Sequence, residues 1–184
     1  GDVYKRQHYL PGRPLPAYRY VPGLQPHPTR DRRGHSYGRE DDFADQRGWR
    51  PDDWPRLAPW LWGVDLFNRF YFWEAHEAWE ALWSTTERDA PPGLLLQGLI
   101  QIAAALLKVH LGSVAGAARL SSTAIEKLNL VATRHPTLMG LSVAATVDEM
   151  RTYFSPLASE VLPRLDGRVP ILRLAAERAP AEAR

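Results

Sequence analysis

Cysteine is absent from the 184 residues, which excludes a disulfide framework, thiolate catalysis and any cysteine-ligated metal. Long apolar runs are scarce too. The best candidate, 94–111, is interrupted by Gln97, Gln101, Lys108 and His110, short of the ~18 uninterrupted apolar residues of a membrane span. With no leader of basic, apolar and small residues, the expectation is a cytoplasmic location and no membrane partner. Glycines at phosphate-loop spacing, a G-x-S-x-G nucleophile and a Ser-His-Asp ordering are all missing. So are alternating strand patterns and Asn-Gly or Asp-Gly hairpin signals. One-signed charge is also lacking: the net charge is +2, and the arginines between Arg13 and Arg50 are scattered without a basic block. No nucleic-acid partner is expected.

What is present is proline, tryptophan and helical periodicity. Residues 1–7 read as the translation of a sequencing-library adaptor and are set aside from the fold. Residues 8–58 form an irregular extension rich in Pro and Arg, with Pro-Gly at Pro11 and Pro22 and Pro-His-Pro at Pro26 to Pro28. Tyr18, Tyr20, Tyr37, Phe43, Trp49 and Trp54 make it more aromatic than a free linker needs, so part of it is expected to lie against the folded body. Residues 59–155 are the helical domain. Helices are predicted over 59–68, from 71 to about 86, over 94–111, from a cap at Ser113 to His135-Pro136, and from a cap at Ser142 to Phe154. Residues 156–184 read as a peripheral tail, chopped by prolines, with a short helical piece at 171–178. The fold class is all-α, a small antiparallel bundle of four to five helices.

The chemistry concentrates in Tyr71 to Trp83, Y-F-W-E-A-H-E-A-W-E-A-L-W. On a 3.6-residue period Phe72, Ala75, His76, Trp79, Leu82 and Trp83 share a face, with Glu77 and Glu80 along its border. A short turn to the next helix would bring Gln101 opposite His76 and Glu80, with Gln97 on the same stripe. His76, Glu77, Glu80, Gln101, Trp79 and Gln97 are therefore the candidate ligand-binding set. His76, Glu77 and Glu80 are the candidates for acid-base work, though no catalytic role or reaction is assigned.

Three accounts fit the cluster. It is a satisfied polar network that fixes helix register, a small-molecule pocket, or a divalent metal site. His76-Glu77-x-x-Glu80 has the i, i+4 geometry of the zinc-protease H-E-x-x-H helix with Glu in place of the second His. Further ligands would have to come from the extension, where His27, Asp31 and His35 flank a turn, so His76, Glu80, His27, Asp31 and His35 are the metal candidates. A rival function is non-catalytic: a homodimer or other partner surface made by exposed Trp60, Trp62 and Trp73.

Three motifs also carry a family resemblance. Gly63-Val-Asp-Leu-Phe-Asn68, then Glu74-Ala-His-Glu-Ala-Trp-Glu80 with Trp83, then Gln97-Gly-Leu-Ile-Gln101 with Ala103 to Ala105 and Lys108, resemble the prokaryotic helical family catalogued as domain of unknown function 309. The likeness runs from about Trp60 to Leu141 and includes the turn Met139-Gly140-Leu141. It implies a compact all-helical bundle whose His/Glu motif faces the Gln-bearing helix, and it implies no activity. Where the family usually has Asn-x-Gly, this chain has Asn68-Arg69-Phe70, which predicts either a strained turn or one continuous helix.

Overall fold

Prolines open two of the helices and serines open two others. In the computed structural model, which describes residues 7–40, 43 and 45–176, α1 (Ala58–Asn68) carries Pro59 and α3 (Pro91–His110) carries Pro91 in the first turn, where no N–H is needed. Ser113 caps α4 (Val114–Arg134) by accepting from the Gly116 amide at 3.2 Å, and Ser142 caps α5 (Val143–Phe154) by accepting from Ala145 at 3.2 Å. Between α1 and α3 lies the aromatic helix α2 (Phe72–Trp83). It stops a turn earlier than the periodicity suggests, because the hydroxyls of Ser84, Thr85 and Thr86 each donate back to a carbonyl three residues before.

Each helix packs on the next, α1 on α2, α2 on α3, α3 on α4 and α4 on α5. Short connections fold successive helices back along one another, so the class is an all-α bundle as the pattern predicts. At its centre, Leu95, Leu96, Leu99, Ile102, Ala103, Ala105 and Leu106 of α3 are fully buried. By length and composition α3 could cross a membrane, but 56% of its most apolar 18-residue window is buried within the bundle. Trp60 and Phe67 of α1 and Trp79 and Leu82 of α2 complete the core.

Asn68-Arg69-Phe70 is a turn, not continuous helix. Phe70 takes φ 68°, the left-handed region that glycine would occupy at no steric cost. About 1–2 kcal/mol of backbone cost is offset by the stack of Phe70 on Phe72, ring centroids 5.3 Å apart, worth about 0.5–1.5 kcal/mol. The near balance explains why an aromatic can stand there.

The absence of hairpin signals hid one small feature. β1 (Thr137–Leu138) and β2 (Leu141–Ser142) pair antiparallel across Met139 and Gly140, both at positive φ, and Leu141 also bridges to Leu174. A Cβ on Gly140 would press into the Trp54 indole, which is why the turn keeps glycine there.

The C-terminal end departs from the expected periphery, while the N-terminal extension lies against the helices as its aromatic content predicts. The C-terminal segment is not peripheral: Val169, Leu172 and Leu174 are buried, and Asn68 both donates to and accepts from the Leu172 backbone at 2.8 Å. Residues 171–176 are extended rather than helical, since this pairing and the bridge at Leu174 take the backbone groups a helix would use. Residues 177–178 of that predicted helix, and 1–6 of the segment set aside, lie outside the described residues. The N-terminal extension is irregular yet docked. Fully buried Asp65 accepts from the Tyr9 and Leu10 amides at 2.8 and 2.9 Å, and Arg19 donates to the Arg69 carbonyl at 2.7 Å.

Candidate functional site

Helix α2 buries Phe72, Ala75, Ala78, Trp79 and Leu82, a seam centred near Ala75 and Trp79. At about 100° per residue, His76 falls on the edge of that seam and Glu80 and Glu77 fall beyond it. The side chain of His76 is accordingly 25% exposed, and those of Glu77 and Glu80 are 50% and 51% exposed. The expectation of an inward-facing cluster is thus corrected: the three groups meet on the outer flank of α2.

They do meet. His76 Nδ1 donates to the Trp73 carbonyl at 3.1 Å and lies 3.5 Å from Glu77 Oε1, while Nε2 lies 3.1 Å from Glu80 Oε2. One ligand atom from each of the three lies within 4.8 Å of the others. The carbonyl fixes the neutral ring with its proton on Nδ1, so the Nε2 lone pair points at a carboxylate. That approach needs a proton or a cation between the two atoms. Burial lifts the Glu77 carboxyl above the ordinary carboxylate range; His76 opposes the lift, Glu80 adds to it, and His27 from the extension opposes it.

The other candidates are elsewhere. Gln101 accepts from Lys127 of α4 at 3.1 Å, so its stripe of α3 serves the α3–α4 contact and not α2. Gln97, one turn before, is half-buried on the same stripe. Trp79 is a core residue, fully buried, whose indole N–H donates to the Trp60 carbonyl at 3.4 Å. Trp60 and Trp62 are buried as well, because α1 is enclosed on nearly all sides, and this removes them from any partner surface. Trp73 remains half-buried on the outer flank. A cleft of about 880 Å³ between α5 and the C-terminal segment touches none of these residues.

The extension's metal candidates have other partners. Asp31 is held by the Arg33 backbone and guanidinium, which hold its carboxyl at about 2. His27 Nδ1 accepts from the Thr29 and Arg30 amides at 3.3 and 3.2 Å, so the neutral ring carries its proton on Nε2 and has no lone pair for a metal. His35 is 3% exposed, with Nδ1 on Ser36 Oγ at 2.7 Å and Nε2 on Glu74 Oε2 at 2.8 Å. Neither Asp31 nor His35 joins the cluster on α2.

Glu74 is the group the pattern did not single out. It is the buried carboxylate of α2, 6% exposed, and it accepts from His35 and from the Tyr20 amide at 3.1 Å. A signal existed: Glu74 stands on the small-residue side of the helix with Ala75 and Ala78, where an aromatic extension can approach closely. Burial raises its carboxyl, and the bonds from His35 and Tyr20 only partly oppose the rise. A carboxyl raised on folding contributes stability that is complete below its unfolded value near 4.5 and is lost as pH rises through the folded value. Glu74→Gln lacks this term. Thermal melts should therefore show wild type losing ground to Glu74→Gln between pH 4 and pH 7, and a constant gap would contradict the burial argument.

No curated protein matches this chain. Residues 60–120 match the family model described as domain of unknown function (DUF309). That stretch spans nearly all of α1, then α2, α3 and the start of α4, and over it the chain is similar to the DUF309 family, whose description assigns no function.

Proposed function

We propose that this protein binds a divalent first-row cation on the outer flank of α2, through His76 Nε2 and the carboxylates of Glu77 and Glu80. The observation that carries the reading is the 3.1 Å approach of Glu80 Oε2 to His76 Nε2, on a ring whose other nitrogen is held by the Trp73 carbonyl, with Glu77 adding a third ligand residue to a group whose ligand atoms lie within 4.8 Å of one another. Such outer-shell support is the habitual companion of a metal-ligating histidine. With bonds of about 2.1 Å, a cation shared by Nε2 and Oε2 at 3.1 Å would subtend about 95°, a reasonable angle for zinc or manganese. The half-exposed carboxylates suit a small cation better than an organic ligand, which would want an enclosing cavity. Three protein donors would leave the remaining positions to water or substrate, the arrangement of an open site.

The test is a thermal-shift titration with zinc and manganese on the metal-stripped protein. A cation at a hundredfold excess over its Kd should stabilise wild type by about 2.7 kcal/mol. His76→Ala and Glu80→Ala should show no saturable response. Binding should weaken at acid pH, where protons compete for imidazole and carboxylates alike. A wild-type response that survives both substitutions would refute the assignment.

A further inference from the structure

The geometry points to His35 and Glu74 as a positioning pair: their buried contact seats the loop from His27 to Ser36 on α2, so that His27 stands against Trp73 beside the carboxylates of the cation site. The inference rests on the cation reading above and adds a second segment to that site.

The loop is built as a unit. Ser36 donates to the Pro28 carbonyl at 3.0 Å, Asp31 to His27 at 3.2 Å and Gly34 to Asp31 at 2.9 Å. Gly34 lies so close to the carbonyls of His27 and Pro28 that no Cβ would fit. The Tyr18 hydroxyl joins the two ends, donating to Pro26 at 2.6 Å and accepting from the His35 amide at 3.1 Å. His27 and His35 therefore hold a fixed relation, and fixing one on α2 places the other.

The seat is Glu74. A buried ionisable pair is a poor source of net stability compared with apolar packing, so its use here is better explained by register. The Tyr20 amide shares the same carboxylate, and the Tyr20 ring meets Trp73 and His27 edge-on with centroids 5.0 and 5.4 Å apart. His27 in turn meets Trp73 at 5.6 Å, and Trp73 meets His76 at 6.2 Å. Trp73 thus carries the loop on one side and, through its carbonyl, orients His76 on the other. With Nδ1 occupied by amides, His27 keeps its Nε2–H as a donor, and its ring packs edge-on against Trp73, the residue whose carbonyl orients His76, which suits it to an outer-shell role at the cation site.

The experiment uses the full chain and measures zinc and manganese affinity by competition with a fluorescent chelator, alongside trypsin cleavage after Arg30, Arg32 and Arg33. His35→Ala should release the loop, speeding cleavage, and weaken binding about tenfold or more. His27→Ala should weaken binding to a similar degree with cleavage unchanged, and the double variant should be no weaker than His35→Ala alone. Faster cleavage with unaltered affinity, unchanged cleavage in His35→Ala, or unaltered affinity in His27→Ala would each overturn the inference. Should His35→Ala fail to fold, His35→Gln and His27→Ala carry the same comparison. Failure of wild type itself to bind either ion is a different result: it removes the cation reading, and this inference with it.

Discussion

Alanine in place of Trp79 is expected to cost about 3–5 kcal/mol, the range for deleting a fully buried indole. Trp79 is fully buried, its ring 6.2 Å from Trp60 and 5.8 Å from Phe67, and its N–H reaches the Trp60 carbonyl. A domain of ordinary stability has about 5–15 kcal/mol in all, so this one change approaches the unfolding threshold. The contact is specific as well as large. Gly63 of α1 faces the indole, and a Cβ there would collide with it. Gly63→Ala alone should therefore destabilise by about 1–3 kcal/mol through overpacking. In the Trp79→Ala background the same methyl enters a void and should cost little or nothing. Urea unfolding of the four proteins in this cycle tests the pair, and additive costs would show that α1 and α2 do not meet through this contact.

The same residue shows why the fold was more legible than the site. Helical period, proline starts and serine caps are local signals, and they located α1, α3, α4 and α5 to within a residue or a few. Which flank of α2 is buried is not local. The periodicity put His76 on the seam because it adjoins Ala75 and Trp79, but the width of the seam depends on what covers it. α3 and α1 cover the Ala75 side, while the extension covers Glu74, leaving Glu77 and Glu80 open. The mutual proximity of His76 and Glu80 was readable from i, i+4 spacing alone. The engagement of Gln101 with Lys127 was not, since an amide on a central helix can serve either neighbour. Aromatic content pointed to docking of the N-terminal extension, whereas the prolines made the C-terminal tail look peripheral, and only its long-range partner Asn68 shows otherwise.

Asn68 supplies the other large effect. Its side chain donates to the Leu172 carbonyl and accepts from the Leu172 amide, both at 2.8 Å, across 104 residues, and Leu172 is 1% exposed. Asn68→Ala would leave two buried backbone groups without partners, at about 1–3 kcal/mol each, so a net loss of about 2–4 kcal/mol is expected after relaxation. The segment keeps a second anchor, where Leu174 donates to the Tyr9 hydroxyl and Ala175 to the Gly140 carbonyl, so it should loosen at Leu172 before it leaves the core. Hydrogen exchange at the Leu172 amide should then accelerate more than at Ala175. Asn68→Asp separates the two bonds. An ionised carboxylate still accepts from the amide but faces the Leu172 carbonyl without a proton, so at pH 7 it should be at least as damaging as alanine. Such a buried acid has its pKa raised on folding, and the protonated form regains a donor. Its stability should therefore recover as pH falls toward 4, where Asn68→Ala stays flat. Parallel behaviour of the two variants across that range would mean that the carbonyl bond contributes nothing to holding the C-terminal segment.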